Sequence, residues 1–162
     1  MDKKELLRRY AAGERNFSGI EISADDLYAV DLSGADLSGT RLEQFEISRA
    51  ILIGVNLWNT YLTDSSLNSV DLSRADLRGT DLRGASLNCA NLTEADLREA
   101  RFGNTTFYRA NLTRANLEGV DFRDTSLRQA NLTGANLEGA NLSRVIFHNT
   151  IMPDGSIRNS SS

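Results

Sequence analysis

Two side chains, His148 and Cys89, are the only members of their types in this sequence and the first places to look for chemistry. A histidine can act as base to a nucleophilic serine or as a zinc ligand, but both arrangements need further His, Cys or carboxylate partners. With no second histidine and no cysteine cluster, neither set has its parts, and His148 reads as a surface residue of the last coil. Cys89 would need a basic neighbourhood to become a reactive thiolate. None is evident, and a single cysteine excludes an internal disulfide and suits a reducing compartment. Carboxylates recur at short spacing, Asp121 with Asp124 and Asp96 with Glu99, as general acid–base pairs do. Each pair has an arginine beside it, Arg123 or Arg98, which describes a solvated mixed-charge surface. No Gly-rich phosphate loop appears, and the Asn-Leu-Thr triplets at Asn91, Asn111 and Asn131 arise from internal repetition rather than as glycosylation sites. The reading is non-enzymatic, with no catalytic residue, no cofactor and no metal.

The bulk properties agree. The 162 residues suffice for one domain, and the formal net charge of −4 argues against direct nucleic-acid binding. Leu, Ile, Val and Phe make up 41 residues, enough for a core. Residues 1–10 are charged, and Arg8-Arg9 is not followed by an apolar stretch, so no export signal is read. No run approaches the roughly 18 apolar residues that span a bilayer. A cytoplasmic protein without membrane association is expected.

What positions the side chains is a repeat of five. From Phe17 to Ile157, every fifth residue is apolar, 29 positions that absorb 20 of the 22 leucines and five of the six phenylalanines. Two residues before each of these centres lies a second row, which from Val30 to Thr150 is Ala, Val, Thr or Ser except at Phe45. The residue between the rows is mostly Asp or Asn, and the two residues after each centre are polar or Gly. Such a period fits neither a helix nor a long strand. It fits a very short strand with two inward side chains and one outward, followed by a corner. Four such units turning by right angles close a coil of 20 residues. The 29 units then make about seven coils, stacked at ~4.8 Å into a rod roughly 34 Å long.

Units such as Ala35-Asp36-Leu37-Ser38-Gly39 and Ala115-Asn116-Leu117-Glu118-Gly119 resemble the pentapeptide-repeat family over residues 15 to about 159. The opening residues 6–17 and the closing Met152-Pro153-Asp154-Gly155 resemble those of cyanobacterial members. The resemblance implies an all-β fold, a right-handed quadrilateral β-helix. A short N-terminal helix is expected as its cap, with residues 1–14 as cap, 15–159 as β-helix and 160–162 as a disordered tail. Asp2 and Glu5 provide a capping signal, Leu6, Leu7, Tyr10 and Ala11 an apolar stripe, and Gly13 a stop. Pro153, Asp154 and Gly155 should turn the chain across the last coil, with no C-terminal helix.

Sorting the units by 20 separates four sides, named here for Leu37, Leu42, Ile47 and Leu52. Gly ends many units of the Leu37 side, at positions 19, 39, 79, 119 and 139, and none of the Ile47 side. Type II corners are therefore expected after the first and another turn type after the second. Phe45 is too bulky for its row, and Ile51, Ile53, Trp58 and Tyr61 point outward within one coil and its corner. They are read as one exposed apolar patch for an unidentified protein partner, against the alternative that Phe45 bends the coil and its neighbours repack. The family also implies a DNA-mimicking binder of DNA gyrase or topoisomerase IV, which would need a continuous acidic face. The Leu37 side offers Asp36, Asp76, Asp96, Glu99, Glu118 and Glu138 against Arg78, Arg98 and Arg158, a net of −3. With arginine interleaved, and without the dimerising C-terminal helix of gyrase-directed relatives, generic protein binding by a monomer ranks above mimicry.

Overall fold

The computed structural model describes residues 1–23 and 26–160. The chain opens with helix α1, Lys3–Ala11, whose N-cap Asp2 accepts a hydrogen bond from the Glu5 amide at 2.7 Å. Gly13, at φ +97°, ends the helix: its own amide returns to Tyr10 O and that of Glu14 to Arg9 O, the double closure of a Schellman motif. Leu6 is fully buried against the first coil, while Leu7 and Tyr10 are half-buried and Ala11, read as part of the apolar stripe, is exposed. The cap is tied down by Lys3 with Asp26 (3.1 Å) and by the Tyr10 hydroxyl donating to Ser33 O (2.9 Å).

Beyond it the chain winds in coils of 20. Parallel bridges join Asn16 to Asp36, Asp36 to Asn56 and Asn56 to Asp76, and the same step recurs on the other three sides. Each strand is so short that the ladder runs along the rod axis: the Leu37 amide donates to Asn56 O, and the Asn56 amide to Ala35 O. The Leu row fills the interior with the small-residue row beside it, as alternation requires. Leu62, Leu82, Leu92 and Leu112 are fully buried, each burial worth about 1.5–3 kcal/mol. Buried hydroxyls satisfy themselves across coils. Thr60, Thr80, Thr105 and Thr150 donate to the carbonyls of Leu37, Leu57, Leu82 and Leu127.

Different turn types were expected after the Leu37 and Ile47 sides, and the structure has the same one after both. Every corner from Gly19 to Asn149 among the described residues has positive φ at its second residue, seventeen of them non-glycine. On the Ile47 side, Ala29, Arg49, Ser69, Cys89, Arg109, Gln129 and Asn149 hold φ between 49° and 60°. Together with the closing bond from the residue after the corner to the centre before it, as from Val30 N to Leu27 O, this is the type II signature. The reason lies between coils. The same corner residue gives its amide to the coil above, as Arg49 does to Asn68 O (2.9 Å) and Cys89 to Tyr108 O (2.8 Å). Those axial bonds offset the ~1 kcal/mol that an L-residue costs in this region.

Two irregularities interrupt the stack. Phe45 is buried, but its amide does not reach Leu42 O; the Ser65 hydroxyl accepts from Phe45 N and donates to Leu42 O, bridging the widened corner. At Phe102 the rings of Phe107 and Phe122 crowd in at 5.2 and 5.1 Å. Gly103 there takes φ +144°, and no bridge joins Arg101 to Asp121 among the described residues. Thr125 Oγ1, which by the pattern would donate to Phe102 O, is buried without a partner.

The last centre departs from the row. Strand β1, Thr150–Ile151, pairs antiparallel with β2, Ile157–Arg158, through the turn at Met152 to Gly155. Ile157 therefore lies outside the core, 59% exposed. Ser160, assigned to a tail, donates its amide to Phe147 O, and its hydroxyl accepts from Phe147 N; the tail positions 161–162 lie outside the described residues.

Candidate interaction surface

The outward residues of the third coil fall on three successive sides. Ile51 pairs with Asp31 and Asp71 on the Leu52 side, Asn56 with Asp36 and Asp76 on the Leu37 side, and Tyr61 with Arg41 and Asp81 on the Leu42 side. Ile51 and Tyr61 thus stand on opposite sides of the rod, with polar Asn56 between them. Ile53 at the intervening corner is half-buried. What the coil brings together is Trp58, 49% exposed, and Tyr61, 45% exposed, which flank the Leu37/Leu42 corner. Trp58 rises between two glycine corners: its carbonyl accepts from Gly39 N, and Gly79 lies above, overlaid by the Asn59 side chain. The Arg41 guanidinium stacks on the Tyr61 ring at 5.2 Å and pairs with Glu43 at 2.9 Å. Below lies an open recess of about 230 Å³ lined by Gly19, Ile20, Glu21, Gly39 and Arg41. An aromatic pair, a stacked cation and a recess therefore meet at one corner, and Trp, Tyr and Arg are the residue types that most often anchor protein interfaces.

The acidic residues of the Leu37 side divide in two. Asp76 and Asp96 are chelated by Arg78 and Arg98 at 2.6 and 2.7 Å, and those guanidinium hydrogen bonds hold both carboxyls below the usual range. Asp36 accepts from Ser38 N and from the Asn56 amide group. Glu99, Glu118 and Glu138 are exposed and have no ion pair among the described residues. Arg158, counted on this side from the repeat, is carried off by β2 and stacks on Phe147 at 4.1 Å. Six acids against Arg78 and Arg98 leave the side at −4, not −3.

Asn111 donates to the Thr93 hydroxyl and accepts from that of Thr113, one rung of an Asn/Thr ladder on the Leu52 side. Cys89 and His148 are exposed corner residues. A further ladder, not singled out from the sequence, climbs the Ile47 side: Ser48 to Ser66 (2.9 Å), Ser86 to Asn68 (2.6 Å) and Asn88 to Ser86 (2.9 Å). Its signal was present as hydroxyl and amide residues 2 and 18 apart. Among the described residues no group of three His, Cys, Asp or Glu could hold a metal ion, and no helix is long and apolar enough to cross a membrane.

The family profile described as Pentapeptide repeats (8 copies) matches residues 50–88, 75–114, 85–124 and 110–149. The chain belongs to the pentapeptide-repeat family. Among solved structures of that family, HetL, involved in heterocyst differentiation regulation in the cyanobacterium Nostoc sp. strain PCC 7120, is 28% identical. That match covers 98% of this chain and 100% of HetL, with a TM-score of 0.36. The Nostoc protein alr5209 is 32% identical over 68% of this chain and 82% of its own, with a TM-score of 0.35. QnrB1, a plasmid-mediated fluoroquinolone resistance protein, is 28% identical over 86% of this chain and 66% of its own, with a TM-score of 0.49. No curated protein matches the sequence.

Proposed function

We propose that this pentapeptide-repeat chain is a non-enzymatic interaction module whose partner protein docks on the Leu37/Leu42 corner around Trp58 and Tyr61. The observation that carries the reading is the pair of half-exposed aromatics at one corner, beside the recess at Gly39 and the stacked Arg41. The stacked coils supply rigidity, so docking there orders little of the protein and keeps the entropic cost low. Ile51 and Ile53, on a different side and corner, lie outside this contact.

Affinity capture from the native host with Trp58→Ser/Tyr61→Ser and, separately, Ile51→Ser/Ile53→Ser tests it. Loss of a specific partner with the first variant alone is expected; equal recovery by both variants and the parent would remove the proposal. The arginines interleaved at Arg78 and Arg98 support a protein contact over mimicry of a phosphate ladder. A stoichiometric effect of the purified protein on gyrase supercoiling would reverse that order.

A further inference from the structure

Seventeen non-glycine residues occupy the positive-φ corner position, so the turn itself does not demand glycine. The glycines are nevertheless unevenly placed. Five of the seven positions from 19 to 139 at the Leu37/Leu42 corner are Gly, against none of the seven from 29 to 149 at the Ile47/Leu52 corner. These two corners are diagonally opposite, because ten residues are half of a 20-residue coil.

The charges follow the same diagonal. Adding ten to Glu99, Glu118 and Glu138 gives Arg109, Arg128 and His148. Adding ten to Arg98 gives Tyr108, and adding ten to Gly39, Gly79 and Gly119 gives Arg49, Cys89 and Gln129. Across the whole of both corners no pair of this kind has like charges. The three glutamates are exposed without an ion pair, and Arg128 is exposed with no acidic partner among the described residues. Arg109 is held in place, stacked on Tyr108 at 5.1 Å with its Nε donating to Gln129 Oε1 at 2.8 Å.

We propose that a second copy of this chain is the occupant of the Ile47/Leu52 corner: copies lie side by side and parallel, each presenting its Leu37/Leu42 corner to the next, so that row formation and the partner proposed above compete for that corner. A translation along the diagonal with a shift of half a coil, about 2.4 Å, brings every such pair level at once. Glu99 and Glu118 then meet Arg109 and Arg128, and glycines face the larger side chains. Because the two corners are different surfaces, the contact is heterologous and repeats as open rows instead of closing as a dimer. Exposed ion pairs are individually weak and screened by salt, so the rows form at high concentration and low ionic strength.

Sedimentation velocity of the full chain, at about 0.02 M and about 0.3 M salt, tests this. Concentration-dependent growth at low salt, weakened at least roughly tenfold at high salt, is expected. Glu99→Arg/Glu118→Arg/Glu138→Arg and Arg109→Glu/Arg128→Glu should each remain monomeric at low salt, and mixing the two variants should restore association. Circular dichroism of each variant separates loss of association from loss of fold. A parent chain that stays monomeric at every concentration overturns the proposal, as does association untouched by either variant. Association that survives both and is lost with Leu142→Lys lies at the end of the stack and overturns it too.

Discussion

Leu112 and Leu142 hold the same place in the repeat, yet Leu112 is fully buried while Leu142, like Leu137, stays partly exposed. The difference is a coil. Above Leu112 the chain continues through Leu132, whereas the hairpin β1–β2 covers the Phe147 part of the last coil and not the Leu137 and Leu142 part. At the other end α1 does what a further coil would, and Leu6 is as buried as any mid-stack leucine. Within the stacked coils a repeat position therefore fixes direction, inward or outward, but not energetic weight, which depends on what lies above and below it.

Substitutions graded along the rod sharpen this contrast. Leu112→Ala, and equally Leu92→Ala, should lose roughly 2–5 kcal/mol in urea unfolding, because the coils on both sides cannot collapse into the gap. A loss under about 1 kcal/mol would argue against a stacked interior. Leu6→Ala should cost about 2 kcal/mol, since the helix can settle towards Phe17. Leu142→Ala should cost about 1 kcal/mol or less, having less area to uncover; parity with Leu112→Ala would break the comparison.

Buried hydroxyls offer a finer version. Thr105→Val removes a bond to Leu82 O and should cost about 1 kcal/mol. Thr125→Val removes an unpaired hydroxyl at the Phe102 irregularity, and its denaturation midpoint should match or exceed the parent's. The smallest effect is in pH. Burial pushes the Asp81 carboxyl up, but Arg83 and Arg101 outweigh it and hold the group below its ordinary value. A depressed carboxyl contributes stability in full above its unfolded value, near pH 4, and loses it as pH falls further. Asp81→Asn should therefore shrink the drop in urea midpoint between about pH 7 and pH 3, and an unchanged drop would count against the pairing.

Much of this was legible in the residues. The five-residue spacing gave the inward rows, Asp2 and Gly13 bounded the helix, and Phe45 marked a disturbed corner. The corner conformation is not legible one corner at a time: Arg49 and Cys89 accept positive φ when the coil above binds their amides. The grouping of the outward apolar residues is not legible for a related reason. Closeness along the chain put Ile51 with Tyr61, while a coil that turns at every fifth residue sends them to opposite sides.

The sequence alone determined the five-residue unit and which side chains of the stacked coils face in, since these follow from residue type and period. Only the tertiary structure decided the corner conformation, the loss of Arg158 and Ile157 from the rod, the unpaired Thr125 and the grouping of Trp58 with Tyr61 and Arg41. Those depend on contacts between residues about 20 apart or across the rod end, where the coil above or its absence, and not the local pattern, sets the balance.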